Sequence, residues 1–375
     1  MKIGIITFHA SLNCGSMLQA YGLQYTLGKH GINSEIIDFS NYGQRKMYAI
    51  LYKPTSIKEC MRLILNVVFY PLLYKEKKDF MQFSELYLRL GEKQYFTNKE
   101  LVETNNYYDA FVAGSDQVWN VRCRDTDKAY FLNFVKNKPR YAYAVSMGAT
   151  DINDLDKTEK NIYSALIKKF TAISVREFNA KLWIEELTGI IPDIMPDPTL
   201  LVPVSQWRQL AESRFVNEKF VFWYCMNYTS RECDAVMRFA KKRGLSVYVI
   251  DGREWTRRSL YLKGVKYAKV SGPSSFLAMI RDATYVITSS FHGTVFSTLF
   301  EKKFIYMKSG INNSKDDRAH FLLDQLALSN QLMSIEKVRS YEGDIVIDYS
   351  VARKQLQLLR NAADSWIEQN ILMEE

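Results

Sequence analysis

The chain alternates between strand-like and helix-like segments twice, and a cluster of prolines separates the two runs. The first run opens with the apolar, β-branched segment 2–8, continues with apolar residues at helical spacing over 17–27, and returns to a strand pattern at 34–39. A strand, a helix and a strand at this spacing form a βαβ unit, which requires a parallel sheet. Because the alternation restarts at 220–226, the sequence predicts two Rossmann-like, doubly wound α/β domains. Such sheets bind ligands beyond the carboxyl ends of their strands, so we expect a functional cleft between the domains.

The prolines suggest where one domain ends and the next begins. Four of the eight prolines in the chain lie within 192–203, and we interpret this stretch as the linker. We therefore predict an N-terminal domain over 1–195, with a mostly helical insertion at about 42–104, and a C-terminal domain over 204–350. The remaining segment, 351–375, has a helical pattern with one apolar face, which we expect to pack back on the N-terminal domain.

Composition narrows the class of protein. The chain has 375 residues, 47% hydrophobic and 24% charged, which is ordinary for a globular protein and excludes wholesale disorder, collagen and coiled coil. A net charge of +9 favours anionic partners, but the basic residues are dispersed, so we do not expect nucleic-acid binding. Five scattered cysteines without a CxxC pair, and an N-terminus too short for a signal peptide, favour reduced thiols and a cytoplasmic location.

One apolar segment, 63–74, is flanked by lysines and arginine but is too short and too interrupted to span a membrane. The commoner explanation for such a segment is a core or subunit-contact helix. The alternative is a peripheral contact through 63–78 with an anionic membrane, which would place the protein at the inner face of the plasma membrane. The sequence leaves both interpretations, and the oligomeric state, open.

Two polar loops follow predicted strands in the first run. In the loop from His9 to Ser16, the residues His9, Asn13 and Gly15 precede a helix, whose N-terminus suits an anion or a sugar hydroxyl. The alternative is that Ser16 merely caps the helix. The second loop, AGSDQVWN, offers hydroxyl-binding side chains and an aromatic face, as a sugar site requires, although a structural turn with a core tryptophan fits equally well. Its candidate residues are Ser115, Asp116, Gln117, Trp119 and Asn120.

Two arginines are candidates for anion binding. Arg176 follows the predicted strand 171–175, where its guanidinium could hold a carboxylate or a phosphate through two hydrogen bonds. The alternative is a salt bridge to Glu177 or to another acid. Arg318 ends the polar loop 312–318, which could contact a phosphate or could equally be a solvated charged turn.

His292 is the strongest single candidate. It lies with Ser290, Phe291 and Gly293 in a loop between a predicted strand and a helix. A histidine in a Ser/Gly loop at a sheet edge is more often a proton carrier or an anion ligand than a structural residue. No second histidine or acid lies at metal-ligand spacing from it, so we expect no metal site.

Together these motifs resemble the polysaccharide pyruvyl transferase family. The resemblance rests on GIITFHxxxNxGSxLQAYGLQ from residue 4, AGSDQVWN from 113, ISVRE from 173, DPTLL from 197, TSSFHGTVFS from 288, and Arg318 before a Leu-rich helix. The motifs occur in the family's order and span nearly the whole chain. Cys14 departs from the pattern, because many relatives carry an aromatic residue there, and this puts the shape of the first loop in doubt.

The resemblance implies a two-domain fold like that of GT-B glycosyltransferases. It also implies transfer of the pyruvyl group of phosphoenolpyruvate to two hydroxyls of a sugar, which forms a cyclic ketal in exopolysaccharide or capsular polysaccharide biosynthesis. No cofactor besides this donor substrate is implied. By matching motif, the donor-binding residues are Arg176, Phe291, His292, Gly293 and Arg318, with Arg176 and His292 catalytic, and the AGSDQVWN loop and Ser290 line the cleft.

Several points stay open. His292 could deliver a proton, deprotonate a hydroxyl or bind phosphate. The acceptor sugar, its hydroxyl pair, the ketal stereochemistry and any lipid linkage are not defined by the sequence. Two alternative functions are a GT-B nucleotide-sugar glycosyltransferase, for which the second half carries no clear ribose-binding glutamate motif, and a non-catalytic sugar-binding subunit of a polysaccharide assembly.

Overall fold

The structure, a computed structural model, describes residues 1–225, 227–308 and 318–373. Within these residues the chain forms two parallel β-sheets, one after the other along the sequence. Met226, the last residue of one predicted strand, and residues 312–317 of the predicted phosphate-contacting loop lie outside the described residues, as do the last two residues of the C-terminal segment.

The first sheet has seven parallel strands in the spatial order 3-2-1-4-5-6-7. They are β1 (Lys2–Ile6), β2 (Asn33–Phe39), β3 (Leu90–Tyr95), β4 (Ala110–Ala113), β5 (Arg140–Val145), β6 (Ala172–Val175) and β7 (Asp193–Ile194). The helices of this half are α1 (Cys14–Lys29), α2 (Tyr42–Tyr48), α3 (Ile57–Val68), α4 (Tyr70–Tyr87), α5 (Asn98–Leu101), α6 (Lys157–Ile167) and α7 (Phe178–Thr188).

The second sheet has six strands in the order 10-9-8-11-12-13, again all parallel. They are β8 (Phe220–Tyr224), β9 (Ser246–Val249), β10 (Lys266–Tyr267), β11 (Tyr285–Thr288), β12 (Phe304–Met307) and β13 (Leu332–Met333). The helices are α8 (Val204–Leu210), α9 (Ser230–Lys241), α10 (Gly252–Arg257), α11 (Pro273–Asp282), α12 (Phe291–Leu299), α13 (Arg318–Gln325), α14 (Ile335–Ser340) and α15 (Ser350–Ile367).

Both sheets have the doubly wound strand order that the sequence predicts. The order reverses between β1 and β4 in the first sheet and between β8 and β11 in the second. Loops at these reversal points leave a crevice beyond the carboxyl ends of the strands. The polar loops after β1, β4 and β11 are therefore placed where a ligand can bind.

Two points of local structure in the first half go beyond the sequence patterns. Helix α1 begins at Cys14, and its cap is Asn13, whose side chain accepts from the backbone N–H groups of Gly15 and Ser16, so Ser16 is not the cap. The insertion 42–104 is mostly helical, but it also contains β3, which the sequence did not predict and which extends the sheet beside β2. Only Tyr95 of this edge strand is buried, so its polar sequence lacks the alternation that identifies a strand.

The proline-rich connection is buried chain, not an exposed linker. Pro198, Thr199 and Leu200 are buried. Helix α1 passes so close that a Cβ on Gly22 would lie 2.8 Å from the carbonyl oxygen of Pro198. The domain boundaries around it stay predictions, but the connection itself belongs to the core.

The last helix, α15, returns to the first half. Its Trp366 packs on Tyr143 with ring centroids 5.6 Å apart, and the indole N–H donates to Asp193 Oδ2 at 3.0 Å. Asp364 of the same helix lies within 2.9 Å of both Lys29 Nζ and His30 Nε2. One apolar cluster runs without a break from β1 through α1, α11 and α12 to α15, so the two halves share a core. Among the described residues, no helix is both long and apolar enough to cross a membrane.

Candidate functional site

A cleft of about 270 Å³ lies where the polar loops of the two sheets meet. The loops after β1, β4 and β11, the end of α2 and the start of α13 all contribute to its wall. The lining residues are Phe8, Ser11, Asn13, Ser16, Met47, Tyr48, Asp116, Gln117, Cys123, Arg124, Asp125, Ser289, Ser290, Phe291, His292, Tyr306, Arg318 and Ala319.

Asp197 organises the buried side of the cleft. One carboxylate oxygen, Oδ2, accepts from Arg176 Nη1 at 2.6 Å and from Ser115 Oγ at 3.2 Å, and it lies 3.5 Å from His292 Nε2. The other, Oδ1, accepts from the backbone N–H and the hydroxyl of Thr199. Burial raises the pKa of Asp197, but His292 and Arg176 outweigh it and hold the pKa far below its usual range. Asp197 is therefore a carboxylate that fixes both basic side chains.

The sequence interpretation missed Asp197 as a site residue. It belongs to the DPTLL motif, but it lies in the proline-rich stretch that was taken for a linker. One signal could have identified it: an acid that follows β7 shortly before Pro198. It lies beyond the carboxyl end of a parallel strand, which is where such sheets bind ligands.

Arg176 is buried among acids, as expected from the alternative in which it forms a salt bridge to Glu177 or to another acid. Its closest acidic partner is Asp197; Asp116 Oδ1 lies 3.6 Å from Nη2 and Glu177 Oε2 lies 3.8 Å from Nε. The guanidinium carbon stands 4.3 Å from the ring centroid of Phe291, a residue that lines the cleft. Arg176 does not itself line the cleft, and its predicted role in donor binding stays a prediction.

The surroundings of two further acids shift their pKa values in opposite directions. Burial raises the pKa of Asp116, but Arg176 and His292 lower it more, and its Oδ2 accepts from Ser16 Oγ. For Glu177, burial dominates over the nearby arginines and raises the pKa to about 7. Glu177 Oε1 accepts from the backbone N–H of Met147 at 2.9 Å. Asp116 is therefore ionised at neutral pH, while Glu177 titrates close to neutral pH.

His292 lies in the first turn of α12 and is seated against the other half of the molecule. Ser290 caps this helix by accepting from the backbone N–H of Gly293. A Cβ on Gly15 would lie 2.1 Å from His292 Nδ1, so only glycine at this position of α1 allows the ring to approach. A Cβ on Gly293 would in turn meet Thr288 Oγ1 at 2.2 Å. Both glycines serve close packing around the histidine and do not themselves contact the cleft.

The cations that face the cleft are Arg318 and Arg124. With the Gln117 amide oxygen turned toward the guanidinium, it accepts from Arg318 Nη1 at 2.9 Å. Arg124 is exposed, and the sequence interpretation did not include it because it lies in a loop without a recognisable pattern. Tyr48 and Asp125, which also line the cleft, were missed for the same reason.

Four other predicted residues lie outside the cleft. Trp119 is a core residue, since its N–H donates to the Tyr130 carbonyl and its ring stacks on Phe131 with centroids 5.0 Å apart, so the predicted stacking face for a sugar is wrong. Ser115 is buried behind Asp197. The Asn120 oxygen accepts from Thr150 Oγ1, which holds its loop.

His9 is the fourth, and it lines a separate groove of about 500 Å³ that shares Ser11 and Tyr48 with the cleft. His9 Nε2 is 3.0 Å from Asp38 Oδ1, and Nδ1 is 3.2 Å from the Thr7 carbonyl oxygen. Among the described residues, no group of three or more His, Cys, Asp or Glu side chains is arranged to hold a metal ion.

Solved structures support the fold. A UDP-GlcNAc 2-epimerase from Methanocaldococcus jannaschii matches with a TM-score of 0.50 at 12% identity, over 96% of this chain and 99% of that chain. A UDP-N-acetylglucosamine 2-epimerase from Rickettsia bellii gives 0.49 at 9% identity, over 100% and 99%. AviGT4, a glycosyltransferase involved in avilamycin A biosynthesis, gives 0.49 at 9% identity, over 99% and 97%. At these identities the likeness concerns the fold alone. The predicted fold class of two Rossmann-like, doubly wound α/β domains is confirmed by the two parallel sheets and by the first of these matches.

The family assignment comes from the sequence of the whole chain. No curated protein sequence matches it. The family model for polysaccharide pyruvyl transferase, however, matches residues 13–310. These include the cleft-lining loops after β4 and β11 and the proline-rich connection 192–203, here called the crossing, which carries Asp197. Because this match covers well over half of its length, the chain belongs to the polysaccharide pyruvyl transferase family and is a transferase of polysaccharide biosynthesis.

Proposed function

We propose that the protein transfers the pyruvyl group of phosphoenolpyruvate to two hydroxyls of a sugar, forming a cyclic ketal and releasing phosphate. The observation that carries the proposal is His292 at the cleft, 3.5 Å from the Asp197 carboxylate, with Arg318 and Arg124 lining the same cleft. The cleft volume of about 270 Å³ favours a small donor, since pockets for drug-sized ligands usually have roughly 300–1,000 Å³.

Donor binding requires cations, because phosphoenolpyruvate carries a carboxylate and a phosphate. Arg318 and Arg124 face the cleft and can supply them. Arg176 acts one layer behind. It neutralises Asp197 and Asp116 and supports the Phe291 ring, so we assign it a positioning role.

The reaction needs a proton at C3 of the donor. Protonation gives an oxocarbenium-like centre at C2, which one sugar hydroxyl attacks. The C2–O bond to phosphate then breaks, and the second hydroxyl closes the ring. One hydroxyl proton replaces the proton given to C3 and the other leaves with phosphate, so the acid is regenerated. His292 lines the cleft and lies 3.5 Å from the Asp197 carboxylate, so we assign it the role of this acid.

The test is phosphate release from phosphoenolpyruvate with galactose, mannose and N-acetylhexosamine acceptors, free and lipid-linked, with detection of the ketal by mass spectrometry. We expect His292→Ala to lower kcat by about 10²–10⁴-fold, the usual contribution of a positioned acid or base. His30→Asn is the matched control, because His30 pairs with Asp364 of α15 away from the cleft. Absence of ketal with every acceptor, or normal turnover by His292→Ala, would contradict the proposal.

A further inference from the structure

Helix α3 presents an apolar surface to solvent along its whole length. Ile57, Met61, Ile64, Val67 and Val68, here called the α3 outer face, are each between 57 and 83% exposed. Four of them follow the spacing i, i+4, i+7 and i+11, so they form one stripe. Single exposed apolar residues are common on proteins, but a continuous stripe of this kind usually marks a contact surface.

The stripe continues toward the next helix. The segment 63–74 divides at Phe69 into the end of α3 and the start of α4. There Tyr70 and Tyr74, both exposed, stack with ring centroids 5.7 Å apart. In α3 only Asn66 is buried, whereas Leu73 at the start of α4 is a core residue. The interpretation of 63–74 as a core helix is therefore wrong for its α3 part alone.

The charges around the stripe are predominantly positive. Residues 53–78 contain six basic and two acidic side chains. Of the two acids, Glu76 is buried, and Glu59 accepts hydrogen bonds from Thr55. The exposed basic residues are Lys53, Lys58, Lys77 and Lys78, together with Lys75, which pairs with Asp79 Oδ2 at 2.7 Å. A basic border complements anionic lipid headgroups, whereas it would repel the same border of a second copy of this chain.

The α3 outer face is fastened to the wall of the cleft. Asn66 Nδ2 donates to the Ile50 carbonyl at 2.7 Å, and the Tyr52 hydroxyl donates to the Glu59 carbonyl at 3.2 Å. Both contacts hold α3 against the segment that directly follows Tyr48, a cleft residue. A surface bound by α3 therefore lies close to the entrance of the cleft.

We propose that the α3 outer face binds the surface of an anionic membrane, with α3 lying in the plane of the interface. The apolar side chains enter the boundary between headgroups and acyl chains, and the lysines contact the lipid phosphates. The inference does not depend on the identity of the donor or of the acceptor. It gives the cleft access to a substrate carried by the membrane.

The test is co-sedimentation of the full chain with vesicles of phosphatidylcholine alone and of phosphatidylcholine with 30% phosphatidylglycerol. We expect binding to the anionic vesicles only. The binding should be weaker in 1 M salt, where the Debye length is about 3 Å. Ile64→Glu should weaken the binding at least about tenfold. Replacing Lys58 and Lys77 by Gln should weaken it by about fivefold for each lysine.

Leu262→Glu is the matched control, since Leu262 is an apolar residue of the second half that is 77% exposed. It should bind like the unmodified chain, and all variants should melt at the same temperature because the changed side chains are exposed. Equal binding by Ile64→Glu, or equal binding to uncharged vesicles, would overturn the proposal. A dimer in solution that Ile64→Glu dissociates would also overturn it and would assign the face to a subunit contact.

Discussion

Asp116 has a backbone conformation that residues with a side chain rarely adopt. Its φ is 72° and its ψ −176°, a region used almost only by glycine. The backbone N–H of Ser146 donates to the Asp116 carbonyl at 2.9 Å. The Asp116 carboxylate accepts from the Ser16 hydroxyl and faces Arg176. The strain in this turn is thus tied to a carboxylate on the cleft wall, as is common at functional sites.

Comparison of Asp116→Gly with Asp116→Ala isolates this strain, because both changes remove the carboxylate. At an ordinary position alanine is the more stable by about 0.4–1 kcal/mol. Here we expect the glycine variant to be the more stable by about 1–3 kcal/mol, since glycine adopts this conformation freely. Urea unfolding of the two proteins measures the difference. An alanine variant as stable as the glycine variant would mean that the turn is unstrained.

At the scale of the elements, α4 meets α10 through a buried acid. Glu76 of α4 is buried, and its Oε2 has no hydrogen-bond partner among the described residues. Burial raises its pKa to about 8, with Asp251 at the N-terminus of α10 adding to the effect and Arg253 opposing it. The helical insertion therefore packs on the second half most stably when Glu76 is protonated.

This contact predicts how stability depends on pH. The unfolded pKa of a glutamate is about 4.3, so the folded chain binds the extra proton between that pH and about 8. The stability from protonated Glu76 is complete below the unfolded pKa and is lost as pH rises through the folded one. The free energy of unfolding of Glu76→Gln should rise relative to that of the unmodified chain between pH 5 and pH 8, by on the order of 1–4 kcal/mol.

Melting temperatures of the two chains measured across this range check the expectation. Glu85→Gln is the control, because Glu85 is an exposed acid of the same helix. If the melting temperatures of the two chains change in parallel from pH 5 to pH 8, Glu76 is ionised in the folded protein.

At the scale of the whole molecule, α15 joins the end of the chain to its beginning. The helix follows the second sheet in sequence, but its Trp366 lies on Tyr143 and Asp193 of the first half. Arg360 donates to the carbonyl of Leu200 in the crossing. The start of the helix contacts the second half, where Arg353 pairs with Glu301, so α15 ties the crossing and the first sheet to the second half.

Trp366→Ala should lower the free energy of unfolding by about 3–5 kcal/mol, because it empties a buried aromatic site. Trp366→Phe should cost only about 1–2 kcal/mol, since it keeps a ring on Tyr143 and loses mainly the hydrogen bond to Asp193. Leu358→Ala, at an exposed position of the same helix, should change it by less than about 0.5 kcal/mol. Guanidinium unfolding measures all three. A loss at Trp366 no larger than at Leu358 would mean that α15 adds little to the shared core.

The architecture could be predicted because the buried parallel strands are apolar and β-branched, as in β1 and β11, and because helices separate them. The strand β3 escaped prediction because it is a polar edge strand. In the site, the loop positions of Asp116, Gln117 and His292 followed from the strands before them. The pairing of Arg176 with Asp197 did not, because it depends on the register of β6 and β7 and on the fold of the crossing, which no local pattern encodes.

The crossing between the two halves has a consequence for how such chains can vary in length. It carries Asp197, which holds Arg176 and His292, and it is packed beneath α1 at Gly22. One inserted residue would lengthen this stretch by up to about 3.5 Å, more than the reach of a hydrogen bond. Exposed loops of the molecule can grow or shrink without that penalty. The crossing therefore acts as a spacer of fixed length, and insertions among natural relatives are expected on either side of it but not within it.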